Sequence, residues 1–424
     1  AAKDSMIYGA FIRMKSMTST TKISFVVAFL FSLTAFGQSS PNSVYNAYGV
    51  GRLNDFGLES FQSMGNASIG MRSDNMVNLK NPAALNSISY PNQIFDIGVS
   101  MSSFSQKTVD ESNSTMIGGV QNINLWFKPS GRFAFTIGAN QFSNTNYNVT
   151  DLYHHSDVVQ NYDVIVDGTG GLSRIYFGAS TELVKNLHLG GRVSLLLGQI
   201  GSTQSITNNS LIGDIELIQN SSVSQAVFDF GAQYAFERSA HDWVVGATYR
   251  PNFLLSQRVE SMISEGGYDT LVTNSKSNLY LPEMYGVGVS ARFGTWRVAL
   301  DGELEKWSKN QGTESNRYRD KYSVSLGTEY VRGKRSESYI DRVAFRFGGS
   351  FNNYYVAVNN TKFNQIKLTT GIGLPTQRQS GYINVGYEYQ GLGTTEANLV
   401  LETLHTFTLN FSIRSMWFLK TVYD

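Results

Sequence analysis

The sequence predicts an all-β fold: a transmembrane antiparallel β-barrel of about 14 strands, with an N-terminal segment lodged in the lumen as a hatch. Three observations predict it. Apolar and polar residues alternate with period 2 through nearly all of the chain after residue 93, the mark of strands with one apolar face. The connections between these runs sort by length, long and polar after odd strands and short after even ones. A membrane barrel shows that asymmetry and a soluble sandwich has no reason to. Composition agrees: 26 Phe, 23 Tyr and 40 Gly against only 7 Pro suit pleated, half-buried surfaces and tight corners.

Charge and composition exclude other classes. Hydrophobic residues at 41% and charged residues at 16% make the chain too apolar for disorder and too polar for a helical membrane bundle. A net charge of +1 leaves no electrostatic case for nucleic acid. The chain has no cysteine, so disulfides, thiolate metal sites and a lipid anchor on a processed Cys are all excluded.

Residues 1–37 read as residues upstream of a start plus a cleaved signal peptide. Met14 and Met17 are both plausible starts, Lys15 and Lys22 supply a basic n-region, and Ile23–Phe36 is an apolar run of h-region length. Ala35-Phe36-Gly37 ends on small residues at the positions a signal peptidase reads, leaving Gln38 first. The run is short for a helical span of ~20 residues and no stop-transfer cluster follows. Export and a barrel together place the chain in the cell outer membrane.

Residues 94–424 carry the strands, expected near 94–104, 119–128, 132–147, 171–182, 187–203, 223–237, 242–256, 279–293, 296–308, 320–333, 341–356, 364–374, 380–390 and 403–414. The long connections are then 105–118, 148–170, 204–222, 257–278 and 309–319, and both ends of the chain fall on the periplasmic side. Trp126, Trp243, Trp296, Trp307, Tyr249, Tyr330, Tyr354 and Trp417 are candidates for interfacial girdles, although the alternation turns some of these Trp inward. Residues 38–93 break the period. They are rich in Gly and Asn yet hold Leu53, Phe56, Phe61, Met64 and Leu79, too much apolar surface for a tail in water, which points to a hatch.

If the apolar face meets lipid, the other face is the lumen. It collects Arg174, Arg192, Asp229, Arg250, Arg297, Asp301, Glu303, Glu305, Glu329, Arg342, Arg346 and Glu388. On the lipid face an Arg or Lys would cost ~2–4 kcal/mol at the midplane. A structural role for these charges, pairing with one another and with the hatch, outweighs a direct role on substrate. Within the hatch, Asn81 and Pro82 are the candidate gate residues: Pro82 biases Asn81 away from helix, and the Asn side chain can satisfy local backbone groups. Asp301 and Glu303 lie two residues apart on one strand and fail as a glycosidase pair. No HExxH, GxSxG or Walker pattern is present, so no enzyme, no cofactor and no metal are expected. His154-His155 reads as a solvated loop rather than a metal site.

Two stretches resemble the FadL-type family of outer-membrane hydrophobic-compound transporters. Asn81-Pro82-Ala83-Ala84-Leu85 is similar to that family's NPA-containing hatch segment. Leu281-Pro282-Glu283-Met284, with the run from Tyr285 to Trp307-Ser308, is similar to its Leu-Pro segment, hairpin and Trp-Ser ending. Tyr322–Tyr330 and then Val343–Phe351 follow its strand order, and Tyr45–Met71 resembles the branch found in Bacteroidota. The resemblance implies a fourteen-stranded barrel, a hatch in the lumen and lateral release of hydrophobic substrates.

The first functional expectation is therefore passive uptake of hydrophobic small molecules, long-chain fatty-acid-like. Its partners would be outer-membrane lipids and a hydrophobic ligand. The alternative is a non-transporting barrel subunit of an outer-membrane assembly, such as a protein-secretion machine, with outer-membrane protein partners. A continuous apolar cavity between loops and hatch favours the first. A filled lumen together with a large apolar patch on the loops or rim favours the second.

Overall fold

The computed structural model describes residues 42–154, 161–207, 215–237, 241–265, 268–310, 317–334, 336–358, 360–376, 380–396 and 399–415. The signal-peptide reading of 1–37, His155 and Trp417 lie outside the described residues.

Alternating residues form a closed antiparallel ring of 14 strands. They are β1 (Asn92–Lys107), β2 (Ser112–Lys128), β3 (Phe133–Asn144, continued by Tyr147–His154), β4 (Asn161–Val184) and β5 (Leu187–Thr207). Next come β6 (Ile215–Glu237), β7 (His241–Arg250, continued by Phe253–Glu265), β8 (Tyr268–Leu281, continued by Met284–Phe293) and β9 (Trp296–Glu305). The last five are β10 (Lys321–Tyr330), β11 (Ala344–Asn353), β12 (Asn364–Pro375), β13 (Gly381–Gly393) and β14 (Leu401–Ser415). β14 pairs with β1 from Ser415 opposite Gln93 to Leu401 opposite Lys107, which closes the ring and removes the free sheet edge. β1 starts and β14 ends at the end of the barrel that carries the short turns.

Period 2 decides which side chains meet lipid. On β11, Arg346 is 1% exposed while its neighbour Phe347 is 51% exposed. On β14, Asn410 and Ser412 are buried while Phe407, Phe411 and Ile413 are exposed. An apolar exterior over a polar interior is stable only when lipid covers it. Tyr322 and Tyr330 bracket the outward run of Val324 and Leu326 on β10. Those eight steps at ~3.3 Å each, tilted by ~40°, span ~20 Å, close to the ~25 Å apolar band of such barrels. Cysteines placed singly at Phe347, Phe411 and Ile413 are expected to resist a membrane-impermeant thiol reagent. Labelling of all three would mean a register slipped by one residue.

The structure corrects two expectations. The segments 105–118, 148–170, 204–222 and 257–278 are mostly ladder, not loop: β4, β5 and β6 run for 24, 21 and 23 residues. Both faces of these extensions lie outside the apolar belt, so they lack apolar alternation while their backbones still pair. The asymmetry between the two ends is real but is one of strand length. The girdle also divides. Trp243, Trp296 and Tyr249 are exposed, with Trp296 against Tyr330 at 4.8 Å. Trp126, Trp307 and Tyr354 are buried inside. Each buried indole finds an acceptor there: Trp126 Nε1 donates to the Leu85 carbonyl and Trp307 Nε1 to Glu305, both at 2.9 Å.

Candidate functional site

Residues 42–91 lie within the ring, touching strands on every side. Near the short turns, Leu58, Val77, Leu79, Leu85 and Ile88 pack on Ile94, Trp126 and Tyr176. Beside them Phe61, Met64, Met71 and Met76 pack on Ala299. Toward the other end, Tyr45 and Val50 enter an apolar cluster with Phe142, Leu255, Trp307, Tyr354, Tyr355 and Phe363. Rings there approach within 4.4–5.9 Å, and the Tyr45 hydroxyl donates to the Val400 carbonyl at 2.6 Å.

The segment has little regular structure, so its backbone polar groups need partners from the wall. Asn81 is extended (φ −111°, ψ 112°), and its side chain accepts from Ala83 N–H at 3.0 Å, capping the 3-10 helix Pro82–Ser87. Its amide nitrogen is shared among the carbonyls of Ile69 (2.8 Å), Ala232 on β6 (3.2 Å) and Ala247 on β7 (3.3 Å). One Asn thus ties two turns of the segment to two strands. Pro82 takes the first helical position, where no N–H is needed.

Ion pairs fix the rest. Asp301 Oδ2 accepts from Ser68 N–H (2.7 Å) and Ile69 N–H (2.9 Å), and Lys80 Nζ bridges Asp301 (3.3 Å) and Glu303 (2.9 Å). Burial alone would lower the Lys80 pKa, but Glu303 and Asp301 outweigh it and hold the ammonium charged. Arg192 pairs with Asp229 at 2.8 Å and donates to the Leu79 carbonyl. Glu329 is flanked by Arg297 (3.1 Å) and Arg346 (3.0 Å); Arg346 also donates to Asn384 and touches Met76 Sδ.

Of the charges expected in the lumen, Arg192, Asp301, Glu303 and Arg346 bind the segment or its neighbours. Arg174 lies over Phe56 at 4.3 Å. Arg342 is a correction. It closes the 3-10 helix Ile340–Arg342 in the turn before β11, near Tyr339 at 5.6 Å, because β11 begins only at Ala344. The Asp55–Lys367 pair (2.6 Å) and Lys80 escaped the sequence reading, since Asp55 and Lys80 lie outside strands, where no period marks them.

Strand glycines carry a further signal of the hatch in the sequence. A Cβ on Gly190 would overlap Pro82, and one on Gly348 would overlap Met64 and Gly65. Gly246, Gly288, Gly327 and Gly371 meet the segment in the same way. Glycine lets the two backbones touch. Gly348→Val is expected to expel the segment while the strands still pair. The measurement is proteolytic cleavage within 42–91, which should become many-fold faster than in the parent protein.

Among the described residues, the wall is interrupted between β2 and β3, as it is for a shorter stretch between β6 and β7. β2 and β3 pair only from Asn122 opposite Asn140 to Phe127 opposite Phe135. Beyond that point β2 stays on β1 as far as Ser112, and β3 stays on β4. The N-terminal segment takes the released edge of β3: Arg52 pairs with Asn144 and Leu53 with Ser143, and Asn54 N–H donates to the Phe142 carbonyl at 3.0 Å.

A family model described as BamG matches residues 19–424. The chain belongs to the BamG family. No curated protein matches the sequence. Among solved structures, this BamG-family chain is similar to the Ralstonia pickettii toluene transporter TbuX, with TM-score 0.57, 15% identity, and coverage of 88% of this chain and 99% of that one. A Pseudomonas aeruginosa FadL homologue gives 0.59, 11%, 86% and 99%, and the P. putida toluene transporter TodX gives 0.54, 14%, 89% and 100%. At such identities the likeness establishes the fold, which agrees with the barrel that the resemblance to FadL-type proteins implies.

Proposed function

We propose that this BamG-family chain is an outer-membrane barrel that does not conduct: a closed barrel subunit of an outer-membrane assembly, with residues 38–93 as its hatch and 94–424 as its wall. The observation that carries this reading is the filled lumen. Side chains of the hatch occupy both apolar layers, and buried ion pairs lock the space between them. Hatch residues also line a cavity among charged groups from Arg174 to Lys321, a poor environment for an alkyl chain. Asn81 and Pro82 act in this reading as an anchor of the hatch. The expected export signal and the apolar exterior of the ring support an outer-membrane location. The test is purification from native membranes in mild detergent with analysis of co-purifying proteins and lipids. A stoichiometric protein partner supports the reading; a lone barrel carrying bound hydrophobic molecules overturns it.

The interrupted ladder between β2 and β3 favours a second reading, lateral passage of a hydrophobic small molecule, long-chain fatty-acid-like, through the wall as in the Bacteroidota-like FadL branch. In that reading Arg52–Leu53 is the gate and Asn81-Pro82 its pivot. Cysteines at Leu53 and Ser143, which are register partners, would lock the opening when oxidised. Uptake of a hydrophobic probe that stops on oxidation and returns on reduction supports passage. Uptake indifferent to the lock removes it.

A further inference from the structure

We infer that the wall beside the hatch holds a binding site for a small free oxyanion of the phosphate or sulfate class. A cavity of about 130 Å³ lies between hatch residues, Leu53–Phe56, Asn66 and Lys80 among them, and the inner faces of β3–β12. Arg174, Arg192 and Arg250 line it, with Asp229 as the one carboxylate among them. Asp229 is taken by Arg192, at 2.8 Å from Nη2 and 3.1 Å from Nε. The other acids lining the cavity are also matched: Glu303 by Lys80, Glu305 by Lys321 and Asp55 by Lys367.

Two guanidiniums remain. Among the described residues, neither Arg174 nor Arg250 has a carboxylate within 4.0 Å. They are only 5% and 9% exposed, and the Nε of each has no hydrogen-bond partner. Arg174 lies between the rings of Phe56 and Phe142, at 4.3 and 4.7 Å, which fixes its plane without neutralising it. Arg250 touches Met284 Sδ at 3.4 Å. Beyond 4.0 Å, Asp229 faces both Arg174 and Arg250, and Glu305 faces Arg250, so the two guanidiniums have only longer-range counter-charge, and burying them so is costly. Their forked N–H groups match a tetrahedral oxyanion, which can take two N–H bonds from each. The space suffices for such an ion and accompanying water, whereas the charged lining does not suit an acyl chain. The bound ion would neutralise the pair and link β4 to β7 beside Leu53–Phe56.

The experiment titrates inorganic phosphate into the full-length protein in detergent, with chloride balancing ionic strength, and reads calorimetric binding and melting temperature. Saturable binding with a raised melting temperature is expected, and at least about tenfold weaker binding in Arg174→Gln/Arg250→Gln. Arg250→Lys keeps the charge but loses the fork and should fall between the two. The parent titration decides even if the double variant does not fold. No saturable response beyond chloride overturns the site, as does unchanged affinity in a folded double variant. Octanoate binding more tightly than phosphate also overturns it, because the guanidiniums would then serve the head of an acyl chain.

Discussion

Deletion of residues 42–91 is expected to turn a closed barrel into an open one. The strands close through β14 and β1 without the segment, so the ring needs none of its backbone pairs to exist. The charges it leaves behind on the inner wall, among them Asp301, Glu303, Glu329 and Arg346, would meet water, which suits the lumen of a wide barrel. Apolar contacts of Trp126 and Ala299 with the segment would be lost, so the variant should melt lower. Single-channel conductance should rise by at least about tenfold over the parent protein. Heat-modifiable migration in detergent gels verifies that the variant is folded. An inserted variant as tight as its parent would show that the segment is not the seal.

Removal of the carboxylate at Glu329 is expected to give the largest effect of any single substitution in the lumen. Glu329 is the carboxylate for both Arg297 and Arg346, and all three are buried. Glu329→Ala leaves two guanidiniums facing each other across β9, β10 and β11 with no counter-charge. Breaking one such buried pair costs about 3–5 kcal/mol. Glu329→Gln keeps an acceptor oxygen and should lose less, whereas Glu329→Ala/Arg346→Met removes the stranded charge and should recover part of the loss. Melting in detergent at fixed pH measures all three. Equal melting of Glu329→Ala and the parent protein would mean that water already solvates this cluster.

Much of the barrel was legible because a half-buried strand writes its geometry in alternate residues. Phe345, Arg346 and Phe347 show this directly: one step along the chain is one change of side, and lipid tolerates only one of the two kinds. The hatch was legible only in outline. Its apolar content demanded burial, but the 3-10 helix at Pro82 and the pairing of Arg52–Leu53 depend on which carbonyls the wall leaves free. Trp307 and Tyr354 were misassigned to a girdle because an aromatic residue near a strand end fits the interface and a wet apolar mouth equally well. Arg342 was misplaced because its alternation with Val343 and Phe345 continues past the start of β11 into a helical turn.

By itself the sequence determined the number of strands and the face of most residues within them, since these follow from local period and turn chemistry. Only the tertiary structure decided the rest. Lys80 meets Asp301 across 221 positions, and Lys367 meets Asp55 across 312. The ladder opens between β2 and β3, and Arg174 and Arg250 come to share one cavity. Such pairings join residues with no fixed spacing along the chain, and closing the ring is what brings them within reach of one another.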